Sequence, residues 1–385
     1  MRVLIVTSFP IPGEYDGTAM LPIKILRALR SRGIEVAVAY LRLRPSKGLA
    51  TVREDFEGTP VFNIPPVGWV GGSALLKIAR EWPFDVVHAQ HYGGATRAYA
   101  ACRRGRWPLV YEIHSLLGEE VERDRLGRGP VFRTYMAVEK KVFRHAAQVI
   151  ALGEPVKQVV VEKKGVPEER VSVIYPGIDL GEYERPGEPA TIPGITARHE
   201  VIMYVGSIVH PNQGVPILVE SLPRIFDARP DARCVLVGGP ADAGDRYRAQ
   251  LGEHGDKLIV LTGRTPEQVV ALTRRADVLV HPRLACVENY SVQSKLAVYL
   301  AAGRPIVATD FGDYRQLLGD TGAGLLTEVA PGAIADGILR VLSDPTLAAS
   351  LAAACPSVAC DHFAMDRNID RYLNVYDRAM VAGPR

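Results

Sequence analysis

Short apolar runs alternate along this chain with longer amphipathic stretches. Residues 3–7 (VLIVT) form a run of strand length, and residues 21–32 follow with Ile25, Leu26 and Leu29 at helical spacing until Gly33 ends the helix. Further runs at 36–40, 86–89, 109–113 and 149–152 are each reached after a helix or loop. Being apolar on both faces, they predict strands of a buried parallel sheet with helices on either side. The pattern then restarts. Runs at 201–205, 234–237, 258–261, 278–280 and 306–308 are separated by helical stretches over 217–228, from Pro266 and from Ser291, which predicts a second doubly wound α/β unit. Between the two lies RPGEPATIPGITARHE, residues 185–200, rich in Pro and Gly and without periodicity, and it reads as a linker.

Length supports two domains, because 385 residues exceed the roughly 250–300 at which a single core stops growing. A hydrophobic share of 47% with 23% charged residues is that of a globular protein and excludes disordered and fibrous classes. The net charge of +3 provides no basic field to grip a phosphate backbone, so no nucleic-acid partner is expected. Five scattered cysteines without CxxC spacing read as free thiols, and the opening MRVLIVTSFP is too short for a signal peptide or membrane helix. A cytoplasmic location is the expectation. The cluster Arg103, Arg104, Arg106 and Trp107 reads as a solvated loop before a strand, with contact to an anionic membrane surface as the alternative.

Open α/β sheets bind ligands beyond the carboxyl ends of their strands, so the loops into helices are where chemistry is sought. After the first run, Gly13 and Gly17 flank a turn into a helix whose free N–H groups suit an anion, but neither GxGxxG nor GxxxxGK[ST] is present. His88, His91 and His114 sit at strand ends, where a histidine can act as a base near neutral pH. HxxH at 88 and 91 does not read as a metal site, since strand alternation puts the two on different faces with no third ligand nearby. Glu112, Glu119 and Glu120 read as capping charges. In the second unit, YVGSIVHPNQG is a glycine-bearing loop after a strand, with His210 as its one basic residue. In ENYSVQSKLAVYL, Ser291 stands where a helix N-cap belongs. The amides of Val292, Gln293 and Ser294 are then available to an anion, helped by Lys295, against the plain alternative of a capped helix without a ligand.

Taken in order, these stretches resemble the retaining GT-B glycosyltransferases of the family 4 type. The resemblance covers nearly the whole chain and rests on VSVIYPGIDLGEYE (171–184), YVGSIVHPNQG (204–214), YLAAGRPIVATDFGD (299–313) and FAMDRNIDRYLNVYDRAM (363–380). It implies an α/β chain of GT-B architecture, two doubly wound Rossmann-like domains facing a cleft. The implied division is an acceptor-side domain over 1–184, the linker 185–200, a donor-binding domain over 201–360 and a terminal helix over 361–385 that crosses back to the first domain. It also implies metal-independent transfer of a sugar from a nucleotide-sugar or sugar-phosphate donor to a small acceptor. Carried over residue by residue, Gly17 matches the glycine-rich loop near the sugar and phosphate, and His114 the histidine beside the transferred sugar, the catalytic candidate. Gly206 matches the loop glycine opposite the diphosphate, and Ser291, Val292 and Gln293 the backbone segment that contacts it.

The departures are specific. The family's arginine and lysine around the diphosphate correspond to Ser207 and Gln213, and its paired glutamates to Tyr290 and Val298, with Glu288 two residues ahead of the first. Two charge-assisted hydrogen bonds at roughly 1.5–3 kcal/mol each are a large loss for a leaving phosphate. Arg264, Arg283 and Lys295 are the cations near enough in sequence to compensate. An unusual donor and a catalytically inactive, auxiliary GT-B homologue are the alternatives to ordinary nucleotide-sugar transfer; phosphorolysis or epimerisation on the same fold is a third.

Overall fold

The computed structural model describes residues 1–11, 17–41, 51–65, 68–116, 129–184, 190–286 and 290–384. Two compact units divide the chain: residues 1–177 with 365–385, and residues 178–364. In the first, eight strands form one sheet: β1 (Arg2–Thr7), β2 (Glu35–Leu41), β3 (Val52–Phe56), β4 (Thr59–Ile64), β5 (Val86–Gln90), β6 (Leu109–Ile113), β7 (Gln148–Ala151) and β8 (Val171–Val173). Their order is β3-β4-β2-β1-β5-β6-β7-β8. Every neighbouring pair is parallel except β3 with β4, an antiparallel hairpin turned by Glu57 and Gly58, both at positive φ as a two-residue primed turn requires. That hairpin is absent from the sequence reading, because VREDF alternates between exposed and half-buried positions and carries no apolar run.

The chain starts in the middle of the sheet. Residues 3–6 of β1 pair with 36–39 of β2 on one side and 86–89 of β5 on the other, and all four are fully buried. Winding runs outward through β2, then returns to β5. The reversal opens a crevice at the carboxyl ends of β1 and β5, where a doubly wound sheet receives ligands.

The helix Met365–Ala382 closes this unit. Ile369, Tyr372, Val375, Tyr376 and Ala379 recur at helical spacing, are at most 1% exposed, and pack in one core with Val3, Ile5, Ile25, Leu29 and Ile150. Full burial of such a side chain contributes about 1.5–3 kcal/mol.

The second unit repeats the plan with β9 (Glu200–Val205), β10 (Ala232–Val237), β11 (Leu258–Leu261), β12 (Val278–His281), β13 (Ile306–Thr309) and β14 (Leu325–Thr327), all parallel in the order β11-β10-β9-β12-β13-β14. Ile202, Leu218, Leu222, Ile225 and Leu236 lie in its core. Here the winding reverses between β9 and β12. Residues 190–199, ahead of β9, contain neither helix nor strand. No single helix among the described residues is long and apolar enough to cross a membrane, and none of the five cysteines is in a disulfide.

Candidate active site

In the first unit the crevice between β1 and β5 is lined by residues that leave β1, β5 and β6. Ser8 and Phe9 follow β1, His91 follows β5, and His114 follows β6. The rings gather there: Phe9 lies 5.9 Å from His91 and 6.4 Å from His114, and the two histidines are 6.4 Å apart, centre to centre. Ser8 Oγ stands 3.5 Å from His91 Nδ1. Burial, then the charge of His114, pushes the His91 imidazole down to about 4, so it is neutral at physiological pH. Gly17 is the first residue of the helix Gly17–Ser31, while Gly13 lies outside the described residues.

Beneath His114 lies a carboxylate that the sequence reading treats as a capping charge. Glu112 is instead fully buried within β6. Its Oε1 accepts from His114 Nε2 at 2.7 Å and from Gln90 Nε2 at 3.4 Å, and its Oε2 from the Tyr372 hydroxyl at 2.8 Å. His88 Nε2 stands 3.2 Å from Oε2, too poorly aligned for a hydrogen bond, while His88 Nδ1 is 2.8 Å from the Tyr376 hydroxyl. Burial pushes the Glu112 carboxyl up, but His114 and His88 outweigh it and hold it well below the usual carboxylate range. Burial and the neighbouring Glu112 charge push the Tyr372 and Tyr376 phenols well above theirs, so both remain protonated. The one clue to this network was a lone acid inside the apolar run LVYEI. His88 thus turns to the last helix and His91 to the crevice.

In the second unit the crevice between β9 and β12 is edged by Gly206 and Ser207 after β9 and by Arg283 after β12. Lys295 reaches under the loop that follows β9. Its Nζ donates to Gln213 Oε1 at 2.6 Å and to the Tyr204 hydroxyl at 2.7 Å, and lies 4.3 Å from the centre of the Tyr204 ring. A Cβ on Gly206, whose φ is +133°, would stand 2.4 Å from that Nζ, so only glycine leaves the ammonium its place. Among the described residues Lys295 makes no ion pair. Burial, then the charge of Arg283, pushes it well below the usual lysine range, and burial with the charges of Lys295 and Arg283 does the same to His281. Lys295 and Arg283 thus bring two basic side chains to this corner.

The other candidates divide between backbone and scaffold. Arg283 is 1% exposed; its Nη1 donates to Ser291 O at 2.9 Å and to the Tyr314 hydroxyl at 3.2 Å, which fixes the loop ahead of the helix Ser294–Ala302. The expectation of an N-cap at Ser291 is corrected: the helix begins at Ser294, with Gln293 extended at the cap (φ −86°, ψ 145°) and no side-chain cap bond. The reason is that the Ser291 carbonyl is engaged by Arg283, which carries the chain past the residue a local capping signal selects. Val292 is buried, and the Gln293 side chain keeps a buried oxygen without a hydrogen-bond partner among the described residues. Ser207 and Arg264 are exposed, Gln213 is buried, and Tyr290 stacks on Phe311 at 5.9 Å. Glu288, Glu119 and Glu120 lie outside the described residues. Among the described residues no group of three or more His, Cys, Asp or Glu side chains is arranged to hold a metal ion.

Comparison with known proteins matches residues 15–182 to the family model Glycosyltransferase Family 4 and residues 199–344 to Glycosyl transferases group 1. The chain is 27% identical to a D-inositol 3-phosphate glycosyltransferase of Nocardia farcinica, over 82% of this chain and 74% of that one. Among solved structures it is similar to sucrose-phosphate synthase from Thermosynechococcus elongatus (TM-score 0.77, 17% identity, 99% of each chain). It is also similar to the Anabaena protein HepE in complex with UDP (TM-score 0.75, 21% identity, 97% of this chain and 100% of that one). Those structural likenesses are of fold, the GT-B architecture.

Proposed function

The chain belongs to the family 4 glycosyltransferases, and from that premise we propose that it transfers a sugar from a nucleoside-diphosphate donor to a hydroxyl of a polyol or polyol phosphate, with retention at the anomeric carbon. The observation that carries the donor class is the Lys295 ammonium. It lies under Gly206 at the winding reversal of the second sheet, bonded among the described residues to the uncharged oxygens of Tyr204 and Gln213. A half-buried cation with neutral partners is costly, and an anion beside it relieves that cost. Lys295 thereby supplies, from the helix Ser294–Ala302, positive charge at a loop where Ser207 and Gln213 carry none. The Gln293 oxygen, without a hydrogen-bond partner among the described residues, supports an acceptor for a hydroxyl of the nucleoside.

In the reaction the acceptor oxygen bonds to the anomeric carbon as the bond to the diphosphate oxygen breaks. The acceptor proton passes to the departing phosphate, on the face from which the acceptor arrives. Lys295 stabilises the charge that develops there, and His114 hydrogen-bonds a sugar hydroxyl. The acceptor class is supported by the name of the Nocardia relative and the donor class by the UDP complex of HepE. The scheme requires no metal, so chelation is expected to leave turnover unchanged.

A thermal-shift screen with UDP, GDP, UMP and glucose 1-phosphate tests the reading. A diphosphate at about 100 times its dissociation constant stabilises by roughly 2.7 kcal/mol, and the monophosphates by much less. Absence of any nucleotide response would favour the auxiliary, non-catalytic alternative.

A further inference from the structure

Glu112 is an expensive residue for the middle of a buried strand, and its surroundings say what it holds. An ionised carboxylate offers only lone pairs, so the ring nitrogen 2.7 Å from Oε1 must carry the proton: His114 donates from Nε2, and in the neutral form of the ring the lone pair is left on Nδ1. The second carboxylate oxygen is held by the Tyr372 hydroxyl at 2.8 Å, and Tyr376 bonds His88 beside it at 2.8 Å. Both tyrosines stand on the helix Met365–Ala382.

We infer that Glu112 is a positioning residue for His114, fixing the imidazole in its Nε2–H tautomer, and that Tyr372 of the last helix holds the carboxylate in place to do so. The inference rests on the reading that His114 meets the transferred sugar. Its chemical content is that a substrate hydroxyl meeting this ring donates to Nδ1, the lone-pair acceptor, rather than accepting from it. A Glu112 that served only to dock the last helix would leave the tautomer to the ring's own preference.

Nitrogen-15 correlation spectra of the histidine rings in the full-length protein decide the matter, with the His114 signal identified by its loss in His114→Gln. The expected result for the wild type is a neutral ring protonated at Nε2; a ring protonated at Nδ1 overturns the proposal without any variant. In Glu112→Gln, Tyr372 still needs an acceptor, so the amide oxygen faces Tyr372 and the amide NH2 faces His114. The Nε2–H signal is then lost, and donor turnover falls by about 10- to 100-fold, the scale on which an orienting partner acts. A folded Glu112→Gln protein that keeps the Nε2–H signal overturns the proposal. Failure of the underlying reading is a different result: His114→Gln turning over donor at the wild-type rate removes His114 from transfer, whatever its tautomer.

Discussion

Lys295 sets binding against stability. In the free protein its ammonium is drawn from water toward two neutral oxygens, and burial disfavours its charge. Lys295→Met keeps the stem and removes the charge. The melting temperature is expected to stay or rise, while UDP affinity, measured by calorimetry, weakens by about 10- to 100-fold, the loss of one charge-assisted hydrogen bond. Unchanged affinity would place the diphosphate elsewhere. His91 sits at φ +60°, a conformation that asparagine tolerates better than most residues, and titrates near 4 rather than its ordinary 6.5. The fold keeps the neutral ring, so the stability it contributes is full above pH 6.5 and is lost as pH falls toward 4, by at most about 3 kcal/mol. His91→Asn should flatten the urea midpoint over that window, and an unaltered slope would assign the acid sensitivity to other groups.

Among elements, the turn Pro211–Gln213 and the glycine after it decide how closely the loop beyond β9 approaches β12. Gly214 has φ +70°, and a Cβ there would stand 1.4 Å from the Pro282 carbonyl oxygen. Gly214→Ala therefore displaces the loop that carries Gln213, with an expected cost of at least about 2 kcal/mol by urea denaturation and weakened UDP binding. A mild effect on both would show that the two loops separate readily. Legibility followed the same physics. Continuous apolar runs such as 3–7 and 201–205 announce central parallel strands because both faces are buried, and the restart of that pattern announces a second sheet. Strand β3 leaves no such run, being half exposed, and so the hairpin it makes with the buried β4 goes unseen. The start of the helix Ser294–Ala302 was misplaced because a capping serine is a local signal, and the contact that overrides it comes from Arg283, eight residues earlier in the chain. Glu112 looked like an ordinary acid because its partners Tyr372 and His114 are assembled only by the fold.

At the scale of the molecule, the first unit is discontinuous, its core completed by residues 365–385 after an intervening second unit. Ile369 is fully buried in that core, and Ile369→Ala is expected to cost about 2–5 kcal/mol in the unfolding of the first unit. The UDP-dependent stabilisation of the second unit should persist; its disappearance would mean that the two unfold as one. The discontinuity also sets an order of birth. At about 5–20 residues per second, roughly 10 to 40 s separate the emergence of residue 177 from that of residue 365. The second unit, continuous in sequence, is complete as residue 364 emerges, whereas the first has waited through the whole interval with a bare apolar face and a carboxylate that lacks its tyrosine. A ribosome that stalls before Met365 therefore releases a chain without a finished histidine site, one that presents itself to chaperones and proteases rather than to substrate.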